Sequence, residues 1–286
     1  MTNVTAPASI EREAEFAAEP QRVWQALTDP AELSSWWCDA ASFDLRAGAI
    51  GWMEWTEHGR YAIRIEAVEP GRRFAWRVAR DRDTSLDDGP TTTVEFTISQ
   101  RAGGGTNLTI REEGFVRDVD RRDNVLGWLG TVSGLSEHLA AEPWERGIRR
   151  TWSFRSSPER VWRAFGDSTE FIAWWGGTEQ PEIRESYEGW FAWPTEGRFA
   201  MRIDRVEPPT YLAWRWSIQP GVAFEDSGEV LRTEWAIIPR AGGGTDVHLL
   251  ETGFRGPKNF GENTTGWDTD VEPILRRHLG EAAPGE

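Results

Sequence analysis

The chain has 286 residues, a formal net charge of −15 and one cysteine, Cys38. So acidic a balance repels phosphate backbones and anionic headgroups, and no apolar run approaches the ~18–20 residues of a membrane span, so neither nucleic acid nor a membrane is an expected partner. A lone cysteine excludes an intramolecular disulfide and suits a reducing compartment, and stretch 1–9 lacks the basic start and apolar run of a secretory signal; a cytoplasmic location is expected.

The first expected element is a strand over 10–16, where Ile10, Ala14 and Phe16 alternate with charges. Pro20 opens a helix to Thr28, since a first helical turn has no use for the missing N–H. Asp29-Pro30 breaks it and starts a short helix ending near Trp36-Trp37. Strands are expected at about 42–46, 50–57, 60–69, 72–80, 91–99 and 106–113, with turns at Gly48, Gly59, Pro70-Gly71, Gly89-Pro90 and Gly103 to Gly105. Val125, Trp128, Leu129, Val132, Leu135 and Leu139, spaced by three and four, give a closing helix its apolar stripe.

The same series then recurs. Val23-Trp24, Trp36-Trp37, Gly51-Trp52 and Gly59-Arg60 return 138 positions later, as Val161-Trp162, Trp174-Trp175, Gly189-Trp190 and Gly197-Arg198. After a slip of one residue, the Arg101–Thr106 glycine turn returns as Arg240–Thr245 and Gly127-Trp128 as Gly266-Trp267. A period this long is a duplicated domain rather than a solenoid repeat of ~20–50 residues. Strands are expected again at about 148–154, 181–187, 189–194, 197–207, 210–218, 229–238 and 245–252, and short helices at 158–166 and 168–174. The second closing helix carries Trp267, Val271, Ile274 and Leu279, and Pro273 should kink or split it. The expected fold is α+β: two tandem domains, 1–142 and 143–286, each a curved antiparallel sheet of about seven strands around a long C-terminal helix, with two short helices.

These motifs, together with Val68-Glu69-Pro70 and Val206-Glu207-Pro208, Gly114-Phe115 and Gly253-Phe254, resemble the helix-grip fold of the START and birch-allergen (SRPBCC) superfamily, in its heat-shock-ATPase-activator-homologue branch. The arrangement is similar to the di-domain helix-grip proteins of enediyne clusters of the dynemicin type. The resemblance implies an apolar cavity between sheet and long helix, and ligands such as lipids, flavonoids or polyketides; some members catalyse cyclisation or aromatisation. Nothing here resembles the additional chaperone-binding domain of the branch's eukaryotic namesake.

Of 18 tryptophans, 14 fall into matched pairs. Indoles stack on flat ligands and carry one donor. Trp36, Trp37, Trp52, Trp55 and Trp76, with Trp174, Trp175, Trp190, Trp193 and Trp214, are the candidate wall of a binding site, whereas Trp24, Trp128 and their twins read as core. One tryptophan of each adjacent pair should pack while the other lines an opening. Arg64 and Arg202, matched in mid-strand like Glu95 and Glu234, are candidates to orient a ligand's polar group, against the plainer reading of a solvated outer face. Glu112 and Glu251 can act as general bases only if buried with raised pKa values; an outward strand end is the simpler expectation. His58 is a further weak catalytic candidate. No His, Cys or carboxylate spacing suits a metal, and no cofactor is expected. Gly127, Gly130 and Gly134 weaken the first closing helix, either so that it opens for a ligand or to allow close packing.

These features point to binding of a hydrophobic, conjugated or polyketide/polyene-like small molecule, by a carrier, sequestration or biosynthetic accessory protein. The alternatives are a polyketide cyclase or aromatase, whose catalysis can rest on cavity shape plus ordinary groups, and a protein-binding adaptor. Whether the chain is an enzyme is left open, and so is its oligomeric state, a monomer being compatible. The copies differ at Cys38/Gly176, Glu54/Ala192 and His58/Glu196, so one site can have been retained and the other altered.

Overall fold

The structure, a computed structural model, describes residues 9–282; the stretch read above as lacking a signal lies almost wholly outside them. The chain divides into two compact units between Ala141 and Glu142. The first runs β1 (Ile10–Phe16), α1 (Pro20–Thr28), α2 (Pro30–Trp36), β2 (Ala40–Ser42), β3 (Ile50–Trp55), β4 (Gly59–Glu69), β5 (Arg73–Ala79), β6 (Thr91–Gln100), β7 (Thr106–Glu113) and α3 (Asp118–Leu139). Its sheet is antiparallel, in the order β1-β7-β6-β5-β4-β3-β2. The second unit runs β8 (Ile148–Phe154), α4 (Pro158–Gly166), α5 (Ser168–Trp175), β9 (Glu188–Trp193), β10 (Gly197–Glu207), β11 (Tyr211–Ser217), β12 (Val230–Pro239), β13 (Thr245–Thr252), α6 (Pro257–Gly266) and α7 (Glu272–His278), in sheet order β8-β13-β12-β11-β10-β9.

Local chemistry is repeated with the sequence. Asp29 and Asp167 each cap the second short helix, accepting from Ala31 and Glu32 in one unit and from Thr169 and Glu170 in the other. The long strands β4 and β10 both carry a register shift, between Ile65 and Ala67 and between Ile203 and Arg205, and such bulges bend a sheet. The glycine runs are hairpin turns: Gly105 and Gly244 have positive φ and lie so close to the carbonyls of Phe16 and Phe154 that a Cβ would stand 2.3 and 2.4 Å away. The one-residue slip falls in the β5–β6 connection. Arg80 N bonds Pro90 O, and its equivalent Ile218 N bonds Glu229 O, so the second loop is one residue longer.

Three expectations are corrected. The strand expected at 42–46 is the shorter β2, at 40–42. The strand expected at 181–187 does not form, and the second sheet has six strands rather than seven. Pro181 has no N–H for a ladder there, and the segment instead packs Ile183 and Tyr187 against the core. Finally, Ile274 is 38% exposed and Leu275 is fully buried. A π turn over Trp267–Val271, just before Pro273, adds one residue to the helical path and moves the inward face on by one.

That added residue brings the two helix-end histidines into matched positions. His138 Nε2 lies 3.1 Å from Glu32 Oε2, which also pairs with Arg22 at 2.6 Å. His278 Nε2 lies 3.2 Å from Glu170 Oε2, which pairs with Arg160 at 2.7 Å. Each latch ties the end of the closing helix to the two short helices. Burial alone would raise the Glu32 carboxyl, but hydrogen bonds from His138 and Arg22 and their charges carry it below the ordinary carboxylate value. A depressed carboxyl contributes stability above its unfolded pKa and loses it as pH falls through the folded one. In urea titrations from pH 6 down to pH 3, Glu32→Gln should therefore start less stable than wild type and lose less on acidification; parallel curves would show that the latch contributes nothing.

Candidate functional site

In the first unit a cavity of about 540 Å³ lies between the inner face of the sheet and α3. Alternation aims β3 at it through Met53 and Trp55, β5 through Trp76, Val78 and the following Arg80, β6 through Val94 and β7 through Glu112. From α2 come Trp36 and Trp37, stacked at 5.4 Å, and Trp37 lies 5.6 Å from both Trp76 and Trp128. The opening is edged by exposed His58 and by Gly127, Gly130 and Thr131 of α3. A Cβ at Gly127 or Gly130 would meet nothing within 4 Å, so these glycines leave room instead of permitting close packing. Only Gly134 is near a neighbour, the Trp36 carbonyl at 3.4 Å.

One end of the cavity is polar. Glu112, 1% exposed, accepts from Thr92 Oγ1 at 2.6 Å and Asn124 Nδ2 at 3.0 Å on one oxygen. The other oxygen takes Asn124 Nδ2 at 2.9 Å and Trp128 Nε1 at 2.6 Å. A carboxylate offers about four lone-pair sites; here Thr92 and Trp128 each fill one, and the single Asn124 amide nitrogen is shared between the two oxygens, so three donors hold the group. Arg80 stands beside it, with Nη2 donating to Asn124 Oδ1 at 3.0 Å and Nη1 3.9 Å from Glu112. Glu251 repeats the arrangement with Thr233, Trp216, Asn263 and Trp267 as donors. Its burial pushes the carboxyl up, partly opposed by those hydrogen bonds, and Ile218 stands where the first unit has Arg80.

Both acids thus face inward, against the simpler expectation of an outward strand end. Glu251 receives four separate donors, which leaves it no lone pair for a substrate proton, and Glu112 receives three. The matched indoles are also tied by hydrogen bonds. Trp36 and Trp174 donate to the carbonyls of Ala26 and Ala164, and Trp55 and Trp193 to those of Trp37 and Trp175. In the first unit both adjacent tryptophans line the cavity, so the expected division between a packing and a lining residue does not hold there. Trp128, read as core, is buried and lines the cavity as well.

Other candidates lie elsewhere. Trp52 and Trp190 are on the outer face, beneath Arg60 at 4.0 Å and Arg198 at 4.2 Å, because they alternate with the inward residues of β3 and β9. Arg64 pairs with Glu66 at 3.0 Å, and Arg202 lies near Glu188 and Asp204. Neither reaches the matched glutamate, since β5 and β11 intervene. Glu95 pairs with Arg73, and Glu234 accepts from the Tyr211 hydroxyl.

In the second unit the equivalent inner face holds larger side chains. Phe171 stands for Leu33, Phe191 for Met53, Trp216 for Val78 and Trp235 for Phe96. Trp174 and Trp214 are buried, and Trp175 packs on Phe171, Phe191, Trp214 and Trp267 at 5.4 to 5.9 Å. Trp216 reaches Glu251 itself, across space that Val78 leaves open in the first unit.

Residues 17–140 and 155–275 each match the family described as Activator of Hsp90 ATPase homolog 1-like protein. The chain belongs to this family. Its two units are tandem helix-grip domains of the Activator of Hsp90 ATPase homolog 1-like kind. Among solved structures, protein MLL2253 of Mesorhizobium loti is 22% identical, over 46% of this chain and 96% of its own, with a TM-score of 0.40. DynU16, a protein in the dynemicin biosynthetic locus, is 20% identical over 96% of this chain and 97% of its own, with a TM-score of 0.41. The Aha1 dimer protein of Colwellia psychrerythraea is 17% identical over 47% and 98%, with a TM-score of 0.40. No curated protein matches the chain significantly in sequence. Among the described residues no helix is long and apolar enough to cross a membrane, and no group of three or more His, Cys, Asp or Glu is placed to hold a metal ion.

Two stability predictions follow from this geometry. Glu251→Ala leaves buried donors without an acceptor and should cost on the order of 3 kcal/mol in urea unfolding; Glu112→Ala should cost less, because water in the cavity can take over its donors. Equal, small losses would count against the anchoring role. Gly127→Ala and Gly130→Ala clash with nothing and should each stabilise the first unit by up to about 1 kcal/mol, read as a raised denaturation midpoint.

Proposed function

We propose that the first unit binds a hydrophobic, flat, conjugated small molecule in its cavity, one molecule per chain, and that the protein acts as a carrier or sequestering accessory factor rather than a catalyst. The observation that carries this reading is the cavity itself. Its roughly 540 Å³ falls within the range of about 300–1,000 Å³ typical of small-molecule sites, and its wall carries five tryptophans and a tyrosine, with one compact polar end. Aromatic faces of this kind favour stacking on planar ligands over saturated chains. Binding is preferred to chemistry because the one carboxylate of the cavity is buried and held by three donors, from Thr92, Asn124 and Trp128. The packed interior of the second unit supports a single site, the second copy serving as scaffold.

The test is a titration with 2-ethylnaphthalene, a flat apolar probe without polar groups, followed by tryptophan quenching and by calorimetry. One molecule should bind per chain. Val78→Trp, which places in the first unit the residue found at Trp216, should reduce affinity at least about tenfold, while Trp216→Phe leaves it unchanged. Absence of saturable binding, or equal loss in both variants, would overturn the reading.

A further inference from the structure

We propose that the cavity of the first unit is selective for a neutral aromatic ketone whose carbonyl oxygen accepts a hydrogen bond from the Arg80 guanidinium; this rests on the binding reading above and names its ligand class. Arg80 continues the inward alternation of Trp76 and Val78 and lines the cavity. Its side chain makes one hydrogen bond, to Asn124 Oδ1. Nη1 is 3.9 Å from Glu112, beyond hydrogen-bonding distance, and Nε is buried with no acceptor. A guanidinium has five N–H donors; of these Nε is buried and unmet beside the cavity, where an unmet donor is costly, while the side chain as a whole is 23% exposed. A ligand oxygen that accepts from Arg80 removes that cost.

The surroundings narrow the kind of oxygen. Both oxygens of Glu112 are engaged by Thr92, Asn124 and Trp128, and Asn124 Oδ1 already receives Arg80. The polar end holds an unmet donor in Arg80 Nε, whereas both Glu112 oxygens already accept hydrogen bonds, so it suits a carbonyl better than a hydroxyl, whose own proton would compete for an engaged oxygen. The charge of Glu112 also offsets that of Arg80, and an anionic ligand group placed at Arg80 would lie against the carboxylate. A carboxylate ligand thus gains little over a neutral acceptor. Trp37, 5.6 Å from both Trp76 and Trp128, joins them in an aromatic wall on which a flat ligand can lie. The second unit has Ile218 in the place of Arg80 and a tryptophan filling the adjoining space, so polar anchor and empty volume occur together and are replaced together.

The experiment compares four probes of one size on the whole chain: 2-acetylnaphthalene, 2-ethylnaphthalene, 1-(2-naphthyl)ethanol and 2-naphthoate. The ketone should bind about tenfold more tightly than the ethyl compound and the alcohol, and the naphthoate no more tightly than the ketone. Arg80→Ile, the residue of the second unit, should bring the ketone-to-ethyl ratio close to one while keeping ethylnaphthalene binding, which also reports an intact cavity. Arg80→Met, which keeps the side-chain length, should do the same. A ratio of one in wild type, a ratio that survives both replacements, or tightest binding by the naphthoate would overturn this proposal and leave the binding reading standing. Failure of all four probes to bind would overturn both.

Discussion

A buried carboxylate at the end of the last strand decides how each unit is assembled. Glu112 and Glu251 sit on the inner face of their sheets, 1% and 0% exposed. An ionised carboxylate there is tolerable only with its lone pairs met. Donors come from the adjoining strand and from the closing helix, Asn124 and Trp128 in one unit and Asn263 and Trp267 in the other, and in the second unit also from Trp216 of β11. Those helix donors stand four residues apart, on one face. Seating them on the acid fixes the rotation of the helix about its own axis. That rotation in turn decides which positions look into the interior, so the placing of Gly127, Gly130 and Thr131 at the opening follows from the same contact.

From this common frame the copies diverge by side-chain volume. The anchors are identical in kind, and so are the indole hydrogen bonds that hold the short helices and the first hairpin. What changes is the filling: Leu33, Met53, Val78 and Phe96 against Phe171, Phe191, Trp216 and Trp235. Each exchange adds volume on the inner face of the second unit. Tightly packed interiors gain dispersion contacts that a cavity wall forgoes. At Trp216 the second unit fills the space that Val78 leaves open beside the cavity of the first.

The scaffold was legible in the sequence because it depends on short-range signals. Pro20 and Pro158 mark the helix starts, the turn glycines mark the hairpins, and Pro273 marks the break in the second closing helix. The cavity was harder to read. Glu112 lies on the parity of Leu108 and Ile110, which was enough to turn it inward, yet a carboxylate at a strand end reads first as solvated. Arg80 shares the parity of Trp76 and Val78 in the same way. Trp52 and Arg64 misled because matched position in a repeat does not distinguish the faces of a sheet, whereas alternation from Met53 and Ile63 does. The shift from Ile274 to Leu275 could not be obtained from spacing, because a π turn changes the period on which spacing depends.

The two ends of the closing helix show why that irregularity is tolerated. One end is held by the carboxylate on the last strand, through Trp128 or Trp267; the other is held by the carboxylate on the second short helix, through His138 or His278. The matched anchors are ten residues apart in the first unit and eleven in the second. A regular helix would carry the extra residue about 1.5 Å further and turn it by about 100°, which would pull His278 away from Glu170. The π turn takes up that residue between the anchors, directly before a proline that cannot supply a helical N–H. With both ends fixed, the stretch between them is free to change, and it has done so as Gly130 at the cavity opening in one copy and as a widened turn against a filled interior in the other.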